Sequence, residues 1–276
     1  GNFDMVIQAA DDYLPKFSEP SIIAQLKLLK AKSLAGLALY PQAFSILNEL
    51  GKGSDIRWKA EAIFTSGELY ETKLNQPDSA IAKFSEIAQM RVMPIQASQA
   101  RMHLGEINIR LGDYDKASSW LEPLTGDQSR DLAEKAMFLL AEISLFKYDF
   151  NAATERYKTL MSAFFTGVHV NDCIDRLAFL EGAAGDSTAY FMADAARFSY
   201  RGFPDSALVA MEKAAGFTNS GMAEYILFNL GEYYERSGNW ARAAETYEQY
   251  MSRYVAEGLY LDQAIYSLGV VYFEKL

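Results

Sequence analysis

The chain has 276 residues, half of them hydrophobic, and 36 acidic against 26 basic side chains give a formal net charge of -10. An acidic surface with no offsetting basic patch repels phosphate backbones and argues against a nucleic-acid partner. No apolar run approaches the ~20 residues of a membrane span, and a single cysteine, Cys173, excludes an internal disulfide framework. The opening Gly-Asn-Phe, with no initiator Met, suggests a removed signal, a truncation or a tag remnant.

In chain order, residues 3 to 17 read as the second helix of an incomplete two-helix unit. A small residue then recurs at Ala43, Ala80, Ala117, Ala153, Ala207 and Ala243, with steps of 37, 37, 36, 54 and 36. Four residues after each comes a large apolar side chain: Leu47, Phe84, Leu121, Tyr157, Met211 and Tyr247. Pro41, Pro77 and Pro204 stand two or three residues before their alanines, at the first turn of a helix, where a missing N–H costs nothing. Asp113 and Asp149 take the capping role in two other units. Twelve residues before the alanines, the preceding helices carry Ala31, Gly105, Ala141, Ala195 and Gly231 at a close-packing position. Gly67 stands thirteen before Ala80, which places an extra residue in the Asn75-Gln76 turn.

The step of 54 is one period plus 18 residues, about one helix with its turn. Residues Val170 to Leu180 read as that helix, ending at Glu181-Gly182-Ala183-Ala184-Gly185. An unpaired helix perturbs the stacking, so a bend is expected near residues 165–186. The clearest hairpin covers residues 221–254. Ile226, Leu227, Leu230, Tyr233 and Tyr234 form one apolar stripe, Ala243, Tyr247 and Tyr250 another, with Gly238-Asn239 between. Such a hairpin cannot bury both faces alone and needs neighbours. Residues Leu261 to Leu276 read as a first helix without a second, apolar nearly all round, which suits a fragment or a self-associating end.

The order small–aromatic, turn, aromatic, small, aromatic in LGEYYERSGNWARAAETYEQY and LGEINIRLGDYDKASSWLEPL resembles the tetratricopeptide repeat. The resemblance covers most of the chain. It implies an all-α fold: a right-handed superhelix, or α-α solenoid, of antiparallel hairpins forming one array over residues 1–276 with one extra helix near 170–184. It also implies a non-enzymatic protein-interaction scaffold that holds a partner on its concave face and needs no cofactor. The style of the units is similar to bacterial cell-envelope repeat proteins, which favours a periplasmic setting over a cytoplasmic one.

The groove face follows from the register. Three residues before each small position stand Leu28, Phe64, Met102, Phe138, Met192, Phe228 and Tyr266. One residue after it stand Lys32, Glu68, Glu106, Glu142, Ala196, Glu232 and Val270. The two sets are four residues apart and share a helix face. Read functionally, Phe64, Glu68, Met102, Glu106, Phe138, Glu142, Met192, Phe228, Glu232 and Tyr266 form an apolar row edged by carboxylates. Such a row suits a partner protein or peptide with apolar and basic groups. Read as packing, the Phe and Met are core and the Glu residues are solvated. Some relatives clamp chaperone C-terminal carboxylates with Lys and Asn; Glu at these positions disfavours that ligand.

Other chemistry finds little support. His169, Asp172 and Cys173 share a helical turn but lack the ligands of a metal site. His103 has no sequence neighbour to orient it, and two histidines in all offer few candidates for a triad. Gly182 to Thr188 lacks the Gly-Lys-Ser/Thr ending of a phosphate loop. No catalytic residue, metal or cofactor is assigned. The seventeen Tyr and three Trp leave a glycan-binding lipoprotein component as the alternative.

Overall fold

A computed structural model describes residues 2–91, 93–183, 187–217, 222–255 and 257–274. Fifteen α-helices, two short 3-10 segments and no strand are found among the described residues. They divide into two compact units, Gly1–Ile107 and Asn108–Leu276. The first unit holds α1 (Phe3–Tyr13), α2 (Pro20–Gly36), α3 (Tyr40–Gly51), α4 (Ile56–Thr72), α5 (Pro77–Ala88) and most of α6 (Pro94–Leu111). The second holds α7 (Tyr114–Leu121), α8 (Arg130–Phe146), α9 (Phe150–Ala163), α10 (Val170–Gly182), α11 (Thr188–Tyr200), α12 (Pro204–Ala215), α13 (Ala223–Arg236), α14 (Trp240–Arg253) and α15 (Leu261–Glu274).

Neighbours in sequence are neighbours in space. In the first unit α2 pairs with α3 and α4 with α5, while α1 lies on α2 and α3 on α4. In the second, α8 pairs with α9, α11 with α12 and α13 with α14. Here α10 lies on α9, α12 on α13 and α14 on α15. Among the described residues, no helix is long and apolar enough to cross a membrane.

One turn design joins the paired helices. A single residue adopts the left-handed conformation five places before each alanine: Ala38, Asn75, Gly112, Tyr148, Gly202 and Gly238. That conformation lets the next N–H reach back five residues to a carbonyl the helix end leaves free. Leu39 N thus bonds Leu34 O, Asp149 N bonds Ser144 O and Asn239 N bonds Tyr234 O, each at 2.9 Å. In the α4–α5 turn the span is one residue longer, with Gln76 N donating to Tyr70 O at 2.8 Å. The extra residue therefore sits where the spacing put it.

The next helix starts by one of two devices. Where the residue after the turn is Asp113, Asp149 or Asn239, its side chain accepts a backbone N–H of the first turn. Where it is Leu39, Gln76 or Phe203, no side chain caps, and Pro41, Pro77 or Pro204 occupies one of the first two helical positions. One device satisfies an orphan donor and the other removes it.

The six recurring alanines are buried, and so are the large residues four places on. The first helices come close enough to leave no room for a methyl group at two of the small positions. A Cβ on Gly67 would lie 2.8 Å from the Phe84 ring, and one on Gly231 would lie 2.5 Å from the Tyr247 ring. The extra helix expected from Val170 forms as α10. Ala184 to Asp186 of the loop after it, and the last two residues of the final helix as read from sequence, lie outside the described residues.

The turn design has a direct test. Gly238 has open space at its Cβ position and a φ of 75°, so Gly238→Ala is expected to cost about 1 kcal/mol from the left-handed conformation alone. Ala38, exposed with a φ of 60°, should respond in reverse, Ala38→Gly gaining up to about 1 kcal/mol. Urea unfolding of the two variants reads both signs.

Candidate functional site

The site is built around α10, and two matching contacts explain why that helix sits where it does. On α8, Glu134 accepts the backbone N–H of His169 at 2.8 Å. The His169 ring stacks on Phe138 with centroids 4.4 Å apart and planes 6° from parallel. On α13, Glu224 accepts the N–H of Leu259 at 2.6 Å, and the Tyr260 ring stacks on Phe228 at 4.8 Å and 10°. His169 and Tyr260 each stand immediately before a helix, α10 and α15. The helix α10 therefore takes the seat of a first helix, although no second helix pairs with it among the described residues. Cys173 and Ala264, both fully buried, fall at the same position of this register. On the same count Ala178 is the small residue of α10. Asp175, three places earlier, stands in the register of Phe138, Phe228 and Tyr266.

A cleft of about 440 Å³ opens between α8, α10, α11 and α13, lined by Phe138 of α8, Asp172, Asp175 and Arg176 of α10, Tyr200 of α11, and Tyr225 and Tyr233 of α13. A second hollow of about 510 Å³ lies between α13 and α15, bounded by Phe228, Tyr260 and Tyr266. Asp175, Tyr225, Asn229 and Glu232 line both, so the two are continuous.

Within this cleft Glu142 serves a structural purpose. It is 3% exposed, so it forms no solvated edge of a groove. Arg176 Nε donates to its Oε1 at 2.8 Å and Nη2 to its Oε2 at 3.2 Å, while the Tyr157 hydroxyl donates to Oε1 at 2.5 Å. This fork-to-fork pair fixes α10 to α8. The remaining carboxylates are less well served. Asp175 is exposed; partial desolvation raises its carboxyl, opposed by Arg176 and reinforced by Asp172. Burial likewise raises Glu232; Arg236 opposes that while Glu235 and Asp175 reinforce it. Burial pushes the Tyr225 phenol up to about 12, so the hydroxyl stays neutral.

The other groove positions divide. In the second unit Ala196 lines the cleft, Met192 and Phe228 are buried, and Tyr266 is 74% exposed. In the first unit Phe64 and Glu106 are half-buried and Met102 is buried. Phe64 meets Phe84 edge-on at 5.4 Å and His103 at 5.5 Å. His103, which sequence left without a neighbour, stacks on Phe84 at 4.5 Å and places Nδ1 2.8 Å from Glu71 Oε2. Burial raises the Glu68 carboxyl, opposed chiefly by His103 and Lys32. Leu28 is core and Lys32 is exposed. Burial pushes the Cys173 thiol up to about 12. No group of three metal-type ligands converges among the described residues.

Comparison with known proteins bears on the second unit. The tetratricopeptide repeat family model matches residues 225–255, the span of α13 and α14. The chain contains a tetratricopeptide repeat. A solved tetratricopeptide repeat protein from Parabacteroides merdae aligns over 98% of this chain and 98% of its own, at 13% identity and a TM-score of 0.47. No curated protein matches the chain. The matched repeat covers α13 and α14, with Phe228 and Glu232 among its residues. It does not account for Asp172, Asp175 and Arg176, which sequence reading gave no role. The sequence carries no signal for them, because α10 has no following alanine from which to count its register.

The Glu142–Arg176 pair can be weighed by removal. Stripping one partner from a largely buried pair leaves the other uncompensated, so Glu142→Ala should destabilise the chain by about 2–4 kcal/mol. Adding Arg176→Ala should cost less than the sum of the single changes in urea unfolding.

Proposed function

We propose that the chain is a non-catalytic interaction scaffold whose second unit holds an extended segment of another protein. That segment runs along the cleft between α8, α10 and α13 and into the hollow beside α15. Tetratricopeptide repeats point to a protein partner in general. The observation that carries the finer reading is the continuity of the two hollows, which Phe138, Asp175, Phe228 and Tyr266 line while Met192 of α11 lines neither. The half-buried Phe138 and exposed Tyr266 stand at either end as apolar anchors, while Asp175 and Glu232 lie between them. Anchors in hollows with polar groups between them suit recognition of an extended segment. In the first unit Phe64, with Glu68 and Glu106 on the same faces, extends the proposal to a separate contact.

A second reading rests on the tyrosines. Tyr225, Tyr260 and Tyr266 line the same hollow, and rings in such a place can stack on sugars.

The test is selection of peptides from a random displayed library against the chain, followed by calorimetry. Phe138→Ser and Tyr266→Ser should each weaken the selected peptides at least tenfold, and Val209→Ser on the exposed side of α12 should not. Peptides that bind both groove variants with unchanged affinity would overturn the scaffold reading. Saturable binding of oligosaccharides in place of peptides would support the second.

A further inference from the structure

In the six first helices that a second helix follows, the small position is buried, at Ala31, Gly67, Gly105, Ala141, Ala195 and Gly231. At Ala178 of α10 it is exposed, and no second helix pairs with α10 among the described residues. Ile174, one turn earlier on the same face, is exposed too, whereas its counterparts Ile63 of α4 and Leu227 of α13 are buried. We propose that this face of α10 is an unfilled second-helix seat, and that an amphipathic helix of another protein, apolar along one stripe and basic along its flanks, docks there. Neither Ile174 nor Ala178 lines the two hollows, so the seat stands apart from the groove and from the scaffold reading.

What covers a small position is visible at Gly67 and Gly231, where the rings of Phe84 and Tyr247 arrive from the following helix. Alanine is accepted there as well, as the buried Ala141 and Ala195 show. The open face is also built twice. In the same register, α15 exposes Leu259 and Ile265 where α10 has Val168 and Ile174, at 77% and 49% against 83% and 47%. Its small residue Gly269 has nothing within 4 Å of its Cβ position. Charge complementarity decides between occupants. Asp172, Asp175 and Glu181 of α10 are exposed, Asp172 facing His169 at 3.2 Å. The one base of α10, Arg176, is spent at both ends on Glu142. Lys or Arg beside an incoming apolar stripe would meet these carboxylates, which orient it and reject acidic competitors. A second copy of the chain brings the wrong sign. Its α1 exposes Met5, Val6 and Tyr13 but carries Asp4, Asp11 and Asp12 and no base, and its α15 carries Asp262 and Glu274 and no base. An apolar stripe laid into a waiting seat, with charged flanks setting its orientation, is a general mode of helix recognition.

The probe is a synthetic peptide of residues 239–254, which carries α14, a helix already shaped to cover a first helix, with Glu245→Lys and Glu248→Lys on its exposed side. The unsubstituted peptide is the control for charge, and the basic peptide with Tyr247→Pro is the control for helix formation. Titration by calorimetry at about 150 mM salt screens diffuse attraction to the acidic surface. Every whole chain titrated carries Gly269→Lys, which closes the matching face of α15. The basic peptide should bind saturably, and both controls at least tenfold more weakly. Ala178→Lys should weaken the basic peptide at least tenfold, Asp175→Asn with Glu181→Gln at least threefold, and Val209→Ser less than twofold. Absence of binding, equal binding of the unsubstituted peptide, or unchanged affinity in Ala178→Lys would each overturn the seat. Self-association of the unsubstituted chain in sedimentation, abolished by Ala178→Lys, would give the seat to a second copy and overturn it too. If Ala178→Lys fails to fold, Ile174→Ser reads the same comparison. Peptides selected on the groove should keep their affinity for Ala178→Lys, so the seat and the scaffold reading fail separately.

Discussion

The structure depends on a close approach between helices, made possible by a small residue on one and filled by a ring or branched side chain on the next. At Gly67 the filler is Phe84 and at Gly231 it is Tyr247, and in both cases even a methyl group would collide. This contact brings paired helices together and points the opposite stripe of each first helix away from its partner. The positions three residues before each small residue face away from that contact, and Leu28, Met102, Met192 and Phe228 among them are buried against other neighbours.

Much of this was legible in the sequence because both periodicities leave local traces. The alanines at 43, 80, 117, 153, 207 and 243 mark the close contacts, and Pro or Asp at the helix starts marks the turns. The left-handed residue was half-visible. Gly112, Gly202 and Gly238 announce it, but Ala38 and Tyr148 adopt it against their own preference, so only tertiary packing explains them. Tyr148 shows how: its hydroxyl donates to Asp194 at 2.6 Å and its ring meets Tyr190.

The site was less legible, because its charges are paired across long sequence separations. Glu142 and Glu232 occupy equivalent positions, yet one is anchored by an arginine 34 residues on and the other faces a hollow. No helical period distinguishes them. The helix α10 was recognisable as surplus, but without a following alanine its register could not be counted. Only the stacking of His169 on Phe138, matched by Tyr260 on Phe228, reveals that it occupies a first-helix seat, with Asp175 lining both hollows. An irregularity in the array thus became the most polar part of the proposed binding surface, as expected where local rules give way to function.

The close approach itself is most directly tested at two glycines of one register. Gly231 faces the Tyr247 ring, whereas the matching Gly269 of α15 has nothing within 4 Å of its Cβ position. Alanine gains about 1 kcal/mol over glycine within a helix, so Gly269→Ala should raise stability in urea unfolding by about that amount. Gly231→Ala should lower it by about 1–3 kcal/mol as the ring is forced aside. If both substitutions stabilise the chain alike, the helices do not meet at these positions and the packing described here is wrong.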